Sequence, residues 1–373
     1  MKRRFKTLVA SVILALSLFQ IQYSQALTNI DSSKWKLSDK GVHIVKKDNQ
    51  EVFKLTSGKL TLLDQQLMNG TIEFEMMSEG DRAFVYAYFR EQGRESEHVY
   101  LRTHKSNSPD TLQYSPVFQG RSAWQIYHGS KGTATASLPA NQWIKVKVSF
   151  YDDYLNMWVG DHQTLVFNDL SLTGKKQKGS VSLRGFIPNG SEAKYSAYIK
   201  NISIESNDTP ATSNTSTKNS NSHFLTTLNV SPVFEATKDP LESIPESLKE
   251  KDWSVVTAQE DGIFEFLRSR QIPRGMRLYA VVAETMLRSN KIQRCQINLG
   301  FSDTISVLLN GKIIGHADHS YRYAQNRQQG VLHDKQLTLF LPLEDGENQL
   351  QMVVADSFGG WGLQVHLVDC AVD

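Results

Sequence analysis

The chain has 373 residues, with 41 Lys and Arg against 39 Asp and Glu, for a formal net charge of +2. Its length exceeds one ordinary domain and suits two. The near-neutral balance, with no basic cluster after the first residues, argues against a charge-driven nucleic-acid surface. Hydrophobic residues make up 40% of the chain, enough for two buried cores.

The N-terminus opens with a positive segment, "MKRRFK", then an apolar run, "TLVASVILALSLF". "SQA" follows, with Ser24 and Ala26 at the small-residue positions before a cut. This pattern predicts a secretory signal peptide over residues 1–26 and a mature chain starting at Leu27. An uncleaved anchor is the alternative, but the apolar run is short for a span. No cysteine follows it to take a lipid, and no later segment is long and apolar enough to cross a bilayer. A secreted or periplasmic protein without stable membrane insertion is therefore expected.

Residues 27–205 alternate apolar and polar side chains repeatedly. "GTIEFEMM" places Ile72, Phe74 and Met76 on one face and Glu73 and Glu75 on the other. "RAFVYAYFR", "EHVYLRTH", "WIKVKVSF" and "YLNMWVG" share this period of two, and "SEGD", "SNSPD", "LPANQ" and "YDD" mark turns between such runs. "HQTLVFNDL", "GSVSLRGF" and "AKYSAYIKNISIES" complete this half. Residues 206–222, "SNDTPATSNTSTKNSNS" with Ser206 leading, offer almost nothing to bury and read as a flexible linker. Residues 223–373 begin irregularly. Helical turns are plausible only near "LESIPESLKE", which Pro245 interrupts. "GIFEFLRSR", "MRLYAVVAETMLRS", "RCQINLGFS", "TISVLLNGKIIGHA", "KQLTLFLPL", "NQLQMVVADS" and "GLQVHLVDC" follow as strands. Many short strands without a helix-length pattern predict an all-β chain: two antiparallel β-sandwich (jelly-roll) domains joined by a polar linker.

Three local features bear on chemistry. Ile305, Val307 and Leu309 alternate up to Asn310-Gly311, a pair that tolerates the positive φ angles of a type I′ hairpin turn. Beyond that turn lie His316, Asp318 and His319, residue types that can ligate zinc. His316 and Asp318 share one strand face while His319 points away, and no second His/Cys/Asp cluster supplies further ligands, so a polar loop end without metal is expected. The carboxylates of Glu73 and Glu75 project from one face and could approach the lower end of a glycosidase spacing, roughly 5–10 Å. Glu on the solvent side of a strand is ordinary, and no catalytic role is assigned to either. The chain has two cysteines, Cys295 and Cys370, both at ends of predicted strands. Oxidising conditions outside the cell permit a disulfide; antiparallel pairing could bring them together, and two buried thiols are the alternative.

No Gly-x-Ser-x-Gly elbow, Walker loop, Rossmann fingerprint or Cys-x-x-Cys is present, and no cofactor is expected. What stands out is a concentration of Tyr, Trp, Arg, Gln and His in "YAYFR", "YLRTH" and "LQYSPVFQGRSAWQIYHG". Strand alternation puts Tyr86, Tyr88 and Arg90 on one face, and Tyr100, Arg102 and His104 on one face of a neighbour; Gln113, Tyr114, Trp124 and Tyr127 could extend that surface. Aromatic rings pack on the C–H faces of sugars, and planar polar groups match paired hydroxyls. The ligand-binding residues expected are Tyr88, Arg90, Arg102, Tyr114 and Trp124. For each tyrosine, a place in the core is the competing expectation.

Residues 27–205 resemble the concanavalin A-like lectin/glucanase sandwich, including laminin-G-like modules and 3-keto-disaccharide hydrolase domains. The resemblance rests on "GTIEFEMM", "AYFR", "YLRTH", "NQWIKVKVSF", "LNMWVG" and "YIKNISIES". The surroundings of Glu73 and Glu75 lack the Glu-x-Asp-x-x-Glu arrangement of sandwich-fold glucanases. Residues 223–373 resemble the galactose-binding-like jelly roll of β-galactosidase sugar-binding domains, through "ISVLLNGKIIG" and "LTLFLPLEDGENQLQMVV". With the export signal and the aromatic surface, these resemblances lead to the expectation of an exported protein that recognises a carbohydrate or glycoconjugate without catalysis. The alternatives are a glycoside-acting hydrolase or lyase using the first sandwich, and an adhesion or protein-interaction module.

Overall fold

A computed structural model describes residues 30–160, 164–207, 224–236, 248, 252–321 and 329–372. The expected signal peptide lies outside the described residues, as do nearly all of the linker and of the "LESIPESLKE" segment.

The first half folds into two antiparallel sheets. The front sheet runs in the order Trp35–Leu37, Lys59–Leu62, Ser180–Phe186, Phe84–Gln92, Glu95–Arg102, Leu112–Phe118 and Thr133–Ala134. The back sheet runs Leu165–Ser171, Tyr154–Gly160, Ile144–Tyr151, Gly70–Met77, Ala197–Ser206, Gln50–Leu55 and Val42–Lys47. Period-two alternation decides what lies between them. Ile72, Phe74 and Met76 are buried on the inner face of the back sheet. Phe89 of the front sheet stacks on Phe150 of the back sheet at 4.5 Å between ring centroids, which closes the sandwich core.

The second half forms a six-strand path and a four-stranded partner sheet, again antiparallel. Thr304–Leu309 and Lys312–Asp318 form the hairpin read from the sequence, with Asn310 at φ 50° and Gly311 at φ 74°. Both positive angles fit the type I′ turn that Asn-Gly favours. Cys295 and Cys370 are joined in a disulfide with Cα atoms 4.9 Å apart, inside the span such a bond needs. The strands Gln293–Phe301 and Gly362–Val368 pair directly, which brings the two positions together.

No strand pairs across the two halves among the described residues, yet one buried apolar cluster runs through both. Hydrogen bonds stitch them along residues 119–127. Gln119 Nε2 donates to the carbonyls of Leu267 and Arg270, at 2.8 and 2.7 Å. The Gln125 N–H donates to the Gly359 carbonyl, and the Leu332 N–H donates to the Gln125 carbonyl. Tyr127 donates its hydroxyl to Glu265 Oε2 at 2.7 Å. This docking gives the front sheet a wall on one side.

Candidate functional site: a cleft between the front sheet and the second half

The outer face of the front sheet is unusually aromatic. Phe84, Tyr86 and Tyr88 alternate along one strand and sit opposite Arg102, Tyr100 and His98 on the next. On the other side, Phe186, Arg184 and Ser182 are the partners of Phe84, Tyr86 and Tyr88. Tyr86 lies 5.7 Å from Tyr88 and 5.1 Å from Tyr100 between ring centroids. These rings floor a cleft of about 1130 Å³ whose far wall is Tyr321, Gln329, Phe358 and Gly359 of the second half.

Two polar anchors hold the cleft. Arg102 donates to the Gln113 side-chain oxygen at 2.6 Å, to the Tyr100 hydroxyl at 2.9 Å and to the Asp110 carbonyl at 2.6 Å. Gln113 then donates through Nε2 to the carbonyls of Trp124 and Tyr127, both at 2.6 Å. One network therefore orients the Arg102 guanidinium and fixes the backbone that carries Trp124. Trp124 meets Tyr321 edge-on at 5.9 Å and Phe358 at 6.1 Å. Phe358 is 53% exposed. This trio of rings, one from the first half and two from the second, forms part of the cleft wall.

The titratable groups follow from burial. His98 lies beneath Tyr86 and Tyr88, and desolvation drops its pKa to about 3, so its ring is neutral. Nδ1 of that ring has no hydrogen-bond partner among the described residues. Burial likewise lowers His104 to about 4 and raises Tyr100 to about 12. Asp110 is the single carboxylate lining the cleft among the described residues; it takes ion pairs from Lys105 and, at 4.0 Å, from Arg102. Side-chain hydrogen bonding to Lys105, with the Arg102 charge, outweighs desolvation and holds its pKa below the ordinary carboxylate value.

Three of the five residues expected from the sequence reach this cleft: Tyr88, Arg102 and Trp124. Arg90 and Tyr114 do not, which corrects the sequence reading. Arg90 is 1% exposed and faces the interior. It sits in a bulge at φ 53°, where the pairing register shifts between Phe89 and Gln92. One extra residue inverts the alternation, so Arg90 follows Phe89 inward instead of Tyr88 outward. There it pairs with Glu97 at 2.9 Å and donates to the carbonyls of Met68 and Asp152. Tyr114 faces inward by simple parity, because its neighbour Gln113 faces the cleft. Its hydroxyl donates to Glu97 Oε2 at 2.5 Å. Tyr127, also a candidate for that surface, is buried and points to Glu265.

The other sequence candidates lie elsewhere. Glu73 pairs with Lys147 at 2.7 Å and Glu75 with Lys200 and Asn201, both on the back sheet away from the cleft. His316 meets Ser306 at 3.1 Å, and no group of three or more metal-ligating side chains occurs among the described residues. Sequence reasoning missed Tyr321, Phe358, Arg184 and Phe186. The last two could have been found from the alternation in "SVSLRGF"; the first two depend on how the halves dock.

A second, shallower cleft of about 580 Å³ adjoins the first and shares Tyr88, Val117, Gly120 and Arg184 with it. No helix among the described residues is long and apolar enough to cross a membrane.

Solved structures with sandwich folds align with about half of the chain. A carbohydrate-binding module from Bacillus subtilis covers 48% of this chain and 98% of its own, at 12% identity and TM-score 0.34. A Bacillus licheniformis β-glucanase covers 48% and 95%, at 12% identity and TM-score 0.33. A Mycobacterium marinum β-1,3-glucanase covers 48% and 93%, at 10% identity and TM-score 0.31. No curated protein matches the chain. Residues 25–205 match the family model described as the 3-keto-alpha-glucoside-1,2-lyase-like domain, so the first half is similar to that domain, as its strands suggested.

Proposed function

We propose that this protein binds a carbohydrate in the cleft between the front sheet and the second half. The observation that carries the proposal is the pairing of a ring-lined floor with a preset planar cation. Tyr86, Tyr88 and Tyr100 offer faces for sugar C–H groups, and Trp124, Tyr321 and Phe358 add rings along the wall. Arg102 is already fixed by Gln113 and Tyr100, so little side-chain freedom is lost when its remaining edge meets a ligand. The match of residues 25–205 to a sugar-lyase-like domain supports the same reading. Residues 1–26 acting as an export signal would place the protein outside the cytoplasm, where glycans are at hand.

A glycan array with the mature chain tests the proposal, followed by Trp124→Ala. Removing an aromatic anchor commonly costs ~2 kcal/mol, roughly thirtyfold in affinity. Thirtyfold weaker binding with an unchanged melting temperature is expected. Unchanged affinity for every bound glycan would place recognition elsewhere.

A second reading is catalytic, with elimination rather than hydrolysis. Two-carboxylate hydrolysis needs a pair of acids about the scissile bond. Among the described residues Asp110 is the single acid lining the cleft, held by Lys105 and Arg102, while the matching family model is described as lyase-like. Unsaturated products released from a bound glycoside would establish this reading. Their absence under saturating glycan would leave binding as the function.

A further inference from the structure

We infer that the natural ligand is an anionic glycan chain, one bearing carboxylate or sulfate groups, laid in the main cleft. The inference rests on the carbohydrate reading and adds the ligand's charge and length. The whole chain is nearly neutral, yet the main cleft gathers Arg102, Lys105, Arg121 and Arg184, with Asp110 the one carboxylate among its described lining residues. Lys105 and Arg102 share that carboxylate, so one positive charge between them remains uncompensated. Arg184 is exposed, forms no ion pair among the described residues and leans over Phe186, 5.8 Å from the ring centroid. Arg121 lies 4.9 Å above the Tyr279 ring. A cleft of one sign with low-dielectric walls concentrates counter-ions, and here the walls are aromatic.

The arginines are also the right cations for this task. A guanidinium presents a rigid fork that matches a carboxylate or sulfate edge, whereas an ammonium offers a point charge. A neutral sugar would take hydrogen bonds from Arg184 but leave its charge uncompensated, whereas an anionic group does both. Length follows from the size of the main cleft. The main one already exceeds the roughly 300–1,000 Å³ typical of a small-molecule site. The second continues from it through Tyr88, Gly120 and Arg184 but sets Asp39, Glu91 and Glu95 against Lys40, Lys59 and Arg94, so the anionic ligand ends at Arg184, at the junction.

The test uses the mature full chain against three sets of polysaccharides: uronate polymers, sulfated polymers and neutral polymers, each over a salt series. Binding to a uronate or a sulfated chain is expected, and whichever set binds names the source of the charge. Affinity should fall as salt rises, because the screening length shrinks from roughly 30 Å at 0.01 M to roughly 8 Å at 0.15 M. Arg184→Gln should weaken that binding roughly tenfold, the scale of one charged hydrogen bond. Lys145→Gln, which removes an exposed charge from the back sheet, should leave it unchanged. Equal binding of neutral and anionic polymers at every salt concentration would overturn the charge inference and leave carbohydrate recognition standing. A Lys145→Gln loss as large as that of Arg184→Gln would overturn it too, since attraction would then be a diffuse field. Retention of no polymer of any set would overturn both readings.

Discussion

Arg90 and Arg102 lie on adjacent strands of one sheet, each beside a tyrosine and an acid, and they end in opposite environments. Arg90 is sealed inside the sandwich with Glu97 and Tyr114. Arg102 stands at the cleft with Tyr100, Gln113 and Asp110. The inner set joins the strands and binds no solvent-facing ligand; the outer set holds a guanidinium in place at a surface. Residue type does not separate the two roles. The bulge at Arg90 does, because it turns the chain by one residue, and Gly179 packs so close to it that any Cβ there would collide with the Arg90 backbone. A second contrast runs between two buried carboxylates. Glu97 has a tyrosine hydroxyl and an arginine in contact. Glu265 has the Tyr127 hydroxyl and Gln259, with no ion pair and no partner for Oε1 among the described residues.

The largest effect expected from breaking these contrasts is at the inner arginine. Arg90→Ala leaves the Glu97 carboxyl buried without its cation, and losing one partner of such a pair costs about 3–5 kcal/mol. Chemical denaturation should show that loss, whereas Arg102→Ala should cost the fold far less and act on ligand binding. If the two variants are equally destabilised, the assignment of inner and outer roles is wrong.

Next in size is a pH effect at the junction of the halves. Burial raises Glu265 from its ordinary 4.5 to about 7. The folded state therefore holds this proton more tightly than the unfolded one. Stability from this group is complete below about 4.5, falls as pH rises, and levels off above about 7, a change on the order of 3 kcal/mol. Asp303 and Asp356 are also raised by burial and slope the same way. Thermal unfolding across this window should depend less steeply on pH in Glu265→Gln, with the slope from the other buried acids left in place. An identical pH profile in that variant would mean Glu265 stays ionised in the folded protein.

A smaller effect sharpens the comparison of the tyrosines. Tyr114→Phe removes a hydroxyl that donates to Glu97 and accepts from the Thr173 N–H, and should cost about 1–3 kcal/mol of stability. Tyr88→Phe, at the cleft, should cost the fold much less. Equal losses in a denaturant titration would contradict the inward and outward placement of these two rings.

Much of the fold was legible because strand alternation is a local code. "GTIEFEMM" buries Ile72, Phe74 and Met76 as its period predicts, and Asn310-Gly311 makes its turn because two positive φ angles select those residues. The cleft was legible only in part. Tyr88, Arg102 and Trp124 sit where the clustering of Tyr, Trp and Arg suggested. Arg90 escaped because a bulge leaves no mark in a period-two pattern.

The sequence by itself determined an all-β chain, its alternating faces and a tight hairpin, since each depends on neighbours a few residues apart. Tertiary structure alone decided that Arg90 and Tyr114 face the core, and that Tyr321 and Phe358 close on Trp124 across 197 and 234 positions of chain, as the differences in their numbers show. The reason is physical. A side chain's face follows from the backbone beside it, but its partners follow from which surfaces bury best against each other, and that choice is made by the whole molecule.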